Sequence, residues 1–169
     1  MGAGVLPTCI IDGKIYFLFG KENRFADTPG YSDFGGGTER NESYLDTASR
    51  EGVEESTGFF GTQQELRNVL KNFSLPIDMS SSYRLFIIKY DYNPYLELYY
   101  NNNQKLIQKK LPESVIKRSK IFEKSQIRWF CIDELEKHKR LFRSYFRDSF
   151  IPTILAHRDS ILDFVSQVK

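Results

Sequence analysis

The 169-residue sequence has little cysteine, no long apolar run and no dominant charge of either sign. Its two cysteines, Cys9 and Cys131, lie in separate apolar runs without CxxC or metal-like spacing, which predicts buried thiols in a reducing compartment. No apolar stretch reaches about 18 residues, and the N-terminus has neither a charged n-region nor a long hydrophobic h-region. We therefore expect a cytoplasmic protein without a membrane span or a secretory signal.

The net charge of the chain does not require a nucleic-acid partner, but one basic segment keeps such a partner as an alternative. Twenty-four Lys and Arg residues against 22 Asp and Glu residues give a net charge of +2, too small to demand a polyanion. The segment 105–120 is nevertheless basic, with Glu113 as its one acidic residue. Such a segment is either a solvated helix face or a surface for RNA or a highly phosphorylated ligand. Its basic residues are Lys105, Lys109, Lys110, Lys117, Arg118 and Lys120.

The pattern of strand and helix signals predicts one domain over residues 1–169. Apolar alternation predicts strands over 5–11, 14–20, 83–92 and 126–132, with Asp12-Gly13 as a hairpin turn and a short strand before the glycines 35–37. Helical patterns cover 45–56, 63–71 and 133–138, a C-terminal helix over 142–168, and an insertion around 94–124 that Asn101–Asn103 interrupts. This irregular alternation predicts an α/β (α+β) sandwich with a mixed sheet.

Three carboxylates on one predicted helix carry the strongest chemical signal. Glu51, Glu54 and Glu55 stand at i, i+3 and i+4, so they share one face. Like charges in one patch repel each other, and a solvated face would normally intersperse lysine among them. The cluster is explained if a hard divalent cation such as Mg2+, which prefers carboxylate oxygens, binds there.

The spacing around these carboxylates resembles the Nudix box. The resemblance runs from 36 to 58 and departs from the family pattern in two places: Gly52 replaces an aliphatic residue, and Gly58 comes one residue late. Chance would produce six such fixed positions in roughly one chain of this size per 10^4 to 10^5. The matching residues are Gly36, Glu42, Arg50, Glu51, Glu54 and Glu55.

The resemblance implies an Mg2+-dependent hydrolase, with Mn2+ as an alternative cofactor, in a Nudix-type α/β/α sandwich with a mixed sheet. Members of that family hydrolyse a diphosphate linked to another moiety. Glu51 is then a candidate general base, and Arg50 orients a neighbouring glutamate. Many Nudix enzymes use a further acid on a late loop, where Glu123 or Gln126 stands here. The implied catalytic residues are Arg50, Glu51, Glu54 and Glu55, and the implied metal ligands are Gly35, Glu51, Glu54, Glu55 and Glu123.

The sequence does not identify the substrate. Lys21 and Arg24 follow the second strand, a common place for phosphate-facing cations in this fold, whereas Tyr31 and Phe34 either stack on a substrate ring or pack in the core. The leading expectation is a pyrophosphate bond in a nucleoside diphosphate derivative or a related polyphosphate. The alternatives are decapping of capped RNA through the segment 105–120, hydrolysis of diphosphoinositol or dinucleoside polyphosphates, and a non-catalytic module that senses a nucleotide.

Overall fold

A computed structural model describes residues 1–119 and 122–167, and in them one mixed sheet contains seven strands. The strand order is β3-β2-β1-β6-β5, with β4 also paired to β1 and β7 to β2. Strands β1 and β6 run parallel and the other pairs run antiparallel. The strands are β1 (Gly2–Ile11), β2 (Lys14–Glu22), β3 (Tyr31–Ser32), β4 (Phe34–Gly37), β5 (Ser74–Ser80), β6 (Tyr83–Lys89) and β7 (Lys124–Cys131).

Helices cover both faces of this sheet. Helices α1 and α2 pack on one face around Val5, Leu66 and Phe86, and the C-terminal helices pack on the other around Phe19 and Ile154. The α/β/α sandwich with a mixed sheet is therefore confirmed. The helices are α1 (Tyr44–Ser56), α2 (Gln63–Asn72), α3 (Leu96–Lys110), α4 (Glu113–Arg118), α5 (Ile151–Ala156) and α6 (Arg158–Ser166), with 3-10 turns at Ile132–Glu134 and Lys139–Leu141 and a π-helical turn at Phe146–Phe150.

The predicted hairpin between β1 and β2 is present. Asp12 and Gly13 both adopt positive φ, at 49° and 74°, as the primed turns of two-residue hairpins require. The first half of β1 pairs instead with β4, in the register Gly2↔Gly37 to Val5↔Phe34. The three glycines at 35–37 thus lie within a strand, rather than after one as predicted.

Two elements differ from prediction because tertiary contacts outweigh local signals. Strand β5 was not predicted; it contains Pro76 and forms an edge of the sheet, where a missing N–H is tolerated. The predicted break at Asn101 is absent, and α3 continues through it. The Asn101 amide accepts from the Ile127 N–H at 2.7 Å and donates to the Ile127 carbonyl at 3.1 Å, so β7 holds it within the helix.

Helix α1 has a well-defined start and a close neighbour. Its N-cap Ser43 forms a capping box with Asp46, which satisfies backbone groups that the first turn leaves open. A Cβ built on Gly52 would lie 2.7 Å from Cδ2 of Leu66 and 3.2 Å from Cγ2 of Val5. The missing side chain therefore lets α1 approach both β1 and α2.

Three remaining expectations concern the chain ends and the thiols. The C-terminal region is helical in separate segments rather than one helix over 142–168, and Val168 lies outside the described residues. Cys9 and Cys131 are buried free thiols, as predicted. In the described ranges, no helix is long and apolar enough to cross a membrane.

Candidate functional site

A cavity of about 370 Å³ opens where the end of β2, strand β4, helix α1 and helix α4 meet. One wall is the backbone of the glycines 35–37 together with carboxylates from α1 and the neighbouring segments. Cationic side chains face the same space, so the cavity is polar and of mixed charge. Its charged lining residues are Glu22, Asp27, Glu51, Glu55, Lys117, Glu123 and Arg143.

Helix α1 brings Glu51 and Glu55 to this wall, whereas Glu54 does not line the cavity. Glu51 and Glu55 lie one turn apart and are only 8% and 2% exposed, whereas the Glu54 side chain is 27% exposed. A Cβ built on Gly36 would lie 2.5 Å from Oε1 of Glu51. The glycine strand therefore approaches Glu51 more closely than any other residue type would allow.

Arg50 holds the outer part of the carboxylate cluster. Its guanidinium donates to Glu42 through Nε at 2.8 Å and Nη2 at 3.0 Å, to Glu51 Oε1 at 2.7 Å and to the Gly37 carbonyl at 3.0 Å. Its contact with Glu54 Oε2 is longer, at 3.4 Å. The hydrogen bonds from Arg50 lower the pKa of Glu42 to about 2. The contact by which Arg50 was predicted to orient a neighbouring glutamate is present.

Glu55 forms the inner part of the cluster, with a partner at each oxygen. Its Oε2 accepts a hydrogen bond from the Gly35 N–H at 2.7 Å, and its Oε1 lies 3.2 Å from Nζ of Lys124. Burial raises the pKa of Glu55 well above its ordinary value; Lys124 lowers it, and the carboxylates of Glu22 and Glu51 raise it further. Negative charge is therefore in excess around Glu55.

Lys124 is a fully buried cation at the start of β7. Its Nζ donates to Glu22 Oε1 at 2.6 Å and to Ser32 Oγ at 3.0 Å, and Arg143 donates to the same Glu22 oxygen at 2.9 Å. Burial lowers the pKa of Lys124, but Glu55 and Glu22 raise it by more, so the net shift is upward and the ammonium stays charged. A Cβ on Gly20 would lie 2.8 Å from both Cγ and Cδ of Lys124. Gly20 thus leaves the room that this side chain occupies.

Comparison with known proteins gives a match in structure but not in sequence. No protein-family model and no curated protein matches the chain. A Listeria monocytogenes protein assigned as a NUDIX hydrolase superposes with a TM-score of 0.50 at 14% identity, over 100% of this chain and 99% of that one. The chain has the Nudix fold. Other matches are the Ap4A hydrolase of C. elegans (TM-score 0.47, 13% identity, 96% and 93% covered) and NrtR of Shewanella oneidensis (0.42, 10%, 94% and 63%).

Glu123 and Gln126 were the two alternatives for the late-loop acid position, and Glu123 is the one that reaches the cavity. Glu123 lines the cavity just before β7. Gln126 lies within β7, paired with Lys21, and its amide donates to the Tyr31 hydroxyl. A metal-binding role for Glu123 stays a prediction, and Gln126 has a structural partner elsewhere.

The four predicted substrate-binding residues lie outside the cavity lining. Tyr31 and Phe34 are buried, at 3% and 0% exposed, and pack against other aromatic rings of the core. Of the two alternatives that the sequence left open, stacking on a substrate ring and packing in the core, the positions of both rings match the second. Lys21 lies over the Tyr31 ring at 5.9 Å, and the exposed Arg24 pairs with Glu113 at 3.3 Å. Phe25, next along the chain, does line the cavity.

The basic segment divides into two parts. Lys105, Lys109 and Lys110 are exposed along α3 and do not line the cavity. Lys117 on α4 does line it, and its Nζ lies 4.9 Å from the centre of the Phe25 ring. Lys120 lies outside the described residues. Lys117 is therefore the member of this segment that a ligand in the cavity would meet.

Sequence reasoning missed three residues of the site, namely Glu22, Lys124 and Arg143. Glu22 ends an apolar strand, and Lys124 stands in a polar run before another strand, so both resemble solvated residues. They meet because β2 and β7 pair with a register shift between Lys21 and Glu22. No local pattern reports that long-range register, and no signal in the sequence could have identified the contact.

The residues present suit a hard divalent cation in their chemistry, although they do not form a ready-made cage. Glu51 and Glu55 offer carboxylate oxygens beside the backbone of Gly35, the donor type that Mg2+ prefers. The excess negative charge around Glu55 would also favour a cation. Over the described ranges, however, no three His, Cys, Asp or Glu side chains are already arranged to hold a metal ion. Protein cations, Arg50 and Lys124, hold these carboxylates instead.

Proposed function

We propose that the chain is a Mg2+-dependent Nudix hydrolase that cleaves a pyrophosphate bond in a nucleoside diphosphate derivative or a related polyphosphate. One observation carries the proposal. On a Nudix fold, the cavity wall combines the backbone of the glycines 35–37 with the buried carboxylates of Glu51 and Glu55. Both acids have protein cations as partners, Arg50 for Glu51 and Lys124 for Glu55, which offsets the cost of burying them. The support for the proposal is that these acids line an open cavity instead of the core.

The residues of α1 would divide the chemistry between them. Glu51 and Glu54 would hold Mg2+ or Mn2+, which would neutralise charge on the phosphate oxygens and activate water. Glu51 is the candidate general base that accepts the proton of the attacking water. Arg50 positions Glu51 by a charge-assisted hydrogen bond at 2.7 Å.

Other residues that line the cavity suit the phosphates of the substrate. Lys117 and Arg143 both line it, and Asn23 and Phe25 lie beside them. The two cations would attract a polyphosphate, and Phe25 offers a ring next to them. This lining suits a small nucleoside diphosphate derivative, and it also suits capped RNA, a diphosphoinositol or a dinucleoside polyphosphate.

The test is a substrate panel incubated with the protein in Mg2+, in Mn2+ and in EDTA, with phosphate and product analysis. The panel contains nucleotide sugars, dinucleoside polyphosphates, capped RNA, inositol pyrophosphates and oxidised nucleotides. We expect metal-dependent cleavage of at least one class and a loss of at least about 100-fold in turnover for Glu54→Gln. Equal rates for Glu54→Gln and the unaltered protein at saturating Mg2+ would contradict the metal-site assignment.

A second candidate, a nucleotide-sensing module that binds without cleaving, is favoured by one observation. Lys124 already forms ion pairs with Glu22 and Glu55, and the described residues contain no ready-made metal cage. The same panel distinguishes the two functions, because a sensor would bind a panel compound by calorimetry without any turnover in either metal. Cleavage that requires the metal would exclude the sensor.

A further inference from the structure

Lys124 occupies a place in the carboxylate cluster that a metal ion could otherwise fill. Its Nζ lies 2.6 Å from Glu22 Oε1 and 3.2 Å from Glu55 Oε1, and the Lys124 side chain has no solvent exposure. The two acids lie on different elements, β2 and α1, so the lysine links the sheet to the helix. A buried ammonium between two carboxylates provides part of the charge compensation that a divalent ion would provide there, and Arg143 adds a second cation at Glu22.

The fold is shaped around this lysine. Gly20 leaves the space through which the Lys124 side chain passes, since a Cβ there would lie 2.8 Å from two of its carbons. Ser32 accepts a second hydrogen bond from the ammonium at 3.0 Å, beside the ion pair with Glu55. With three oxygen partners, Lys124 has the full set of acceptors that its three N–H groups can use. It is therefore a built feature of the site and not a surface lysine that has folded inwards.

Glu55 is fully engaged by protein groups as a result. One oxygen faces Lys124, and the other accepts the Gly35 N–H at 2.7 Å. Glu54 differs, because its side chain is 27% exposed and its Arg50 contact is the long one, at 3.4 Å. A metal ion would need to displace a buried ammonium to reach Glu55, but only to loosen a weak contact to reach Glu54.

We propose that Lys124 is a resident cation that substitutes for a divalent ion between Glu22 and Glu55, so that metal binding depends on Glu54 and not on Glu55. This inference rests on the proposed metal-dependent function and refines it. Glu55 then becomes a positioning residue that holds the Gly35 backbone, a role different from the metal ligand that the sequence resemblance implies. The carboxylate cluster would therefore bind fewer metal ions than the same carboxylates could bind without Lys124.

The test measures Mn2+ binding directly, by the electron paramagnetic resonance signal of free Mn2+, without any substrate. Isosteric variants Glu54→Gln and Glu55→Gln are compared with the unaltered protein, with Glu136→Gln, an exposed partner of Lys139, as the matched control. We expect a Kd at least about tenfold weaker for Glu54→Gln and within about threefold of the unaltered value for the other two. Equal weakening in Glu54→Gln and Glu55→Gln would overturn the inference while leaving the metal-dependent function standing.

A second variant tests the lysine itself. Lys124→Gln removes the resident cation, so we expect it to bind one more Mn2+ per chain and to melt at a higher temperature with Mn2+ than without. Lys139→Gln, at an exposed ion pair, should show neither change. A Lys124→Gln protein with neither an additional bound ion nor stabilisation by Mn2+ would overturn the inference. An unaltered protein that binds no Mn2+ at all would overturn the metal-dependent function and the inference together.

Discussion

The two cations that hold the carboxylate cluster differ in how they reach it. Arg50 contacts Glu42, Glu51 and Glu54, all within eight residues of it along the chain, and its partners are 10% to 27% exposed. Lys124 is separated from Glu22 by 102 residues and is fully buried. The Arg50 side of the cluster thus joins α1 to the chain just before it, through Glu42 and Gly37, whereas the Lys124 side forms only when β2, β7 and α1 are all assembled. Substitutions on the Arg50 side should therefore mainly change activity, and substitutions on the Lys124 side should mainly change stability.

The largest expected effect is on stability, at the Lys124 side. Lys124→Ala leaves the buried carboxylates of Glu22 and Glu55 without their shared cation, so we expect a loss of about 3 to 5 kcal/mol in the free energy of unfolding. Urea unfolding followed by the fluorescence of Trp129 measures it. Lys139→Ala, which breaks an exposed pair with Glu136, should cost less than about 1 kcal/mol. Similar losses in both variants would remove the distinction between buried and exposed cations.

This comparison also explains which parts of the site could be predicted from sequence. Helix α1 and the shared face of its three glutamates follow from spacing on one helix, and both were predicted because i, i+3 and i+4 relations are local. The role of Arg50 was instead implied by the family resemblance, and its contacts with Glu42 and Gly37 lie outside α1. The Lys124 contacts depend on the β2–β7 register and its irregularity at Lys21 and Glu22. Pairing between distant strands is set by the whole sheet, so neither Glu22 nor Lys124 carries a sequence signal of its role.

The same reasoning covers the fold. The Asp12-Gly13 hairpin was predicted because turn chemistry is local. The strand containing Pro76 was missed, because only its position at the edge of the sheet makes proline acceptable there. Local sequence patterns thus predicted individual turns, helices and strands, whereas β5 depends on its position in the sheet order.

The next effect in size is on activity, at the Arg50 side. Arg50→Ala removes the hydrogen bonds that hold Glu51 and Glu42, so we expect turnover to fall about 10- to 100-fold, or about 1.4 to 2.7 kcal/mol. Stability should fall by less than in Lys124→Ala, because the side chains of Glu42, Glu51 and Glu54 are each more exposed than those of Glu22 and Glu55. Thermal melts beside steady-state kinetics test this. An unchanged rate with a large loss of melting temperature would show that Arg50 is only structural.

A smaller effect, on stability, is expected for the ion pair of Asp46 with Arg67. Asp46 lies at the start of α1, away from the cavity. Hydrogen bonds from Ser43 and Arg67 lower the pKa of Asp46 to about 2 from 3.8. A lowered carboxyl pKa contributes stability that is present above about pH 4 and is lost as the pH falls towards 2. The Asp46 side chain is 35% exposed, so solvent screening reduces this contribution to about 1 kcal/mol.

Asp46→Asn tests that contribution, since it keeps the shape of the side chain and removes its charge. We expect the variant to be about 1 kcal/mol less stable at pH 7 and equally stable near pH 2, by urea unfolding at each pH. Turnover at pH 7 should stay unchanged, in contrast to Arg50→Ala on the same helix. A stability difference that is constant from pH 7 to pH 2 would show that the charge of Asp46 contributes nothing.

The smallest effect concerns cations that hold no carboxylate of the site. Lys105, Lys109 and Lys110 are exposed on α3 and do not line the cavity, so neutralising all three to Gln should change the KM of every substrate by less than about twofold. Lys117→Gln is the matched comparison, because Lys117 does line the cavity and its loss should raise KM for polyphosphates by more. Both variants are measured at two salt concentrations, with capped RNA and with a nucleotide sugar. A KM rise for capped RNA alone in the α3 variant, with a shallower dependence on salt, would instead identify α3 as an RNA surface.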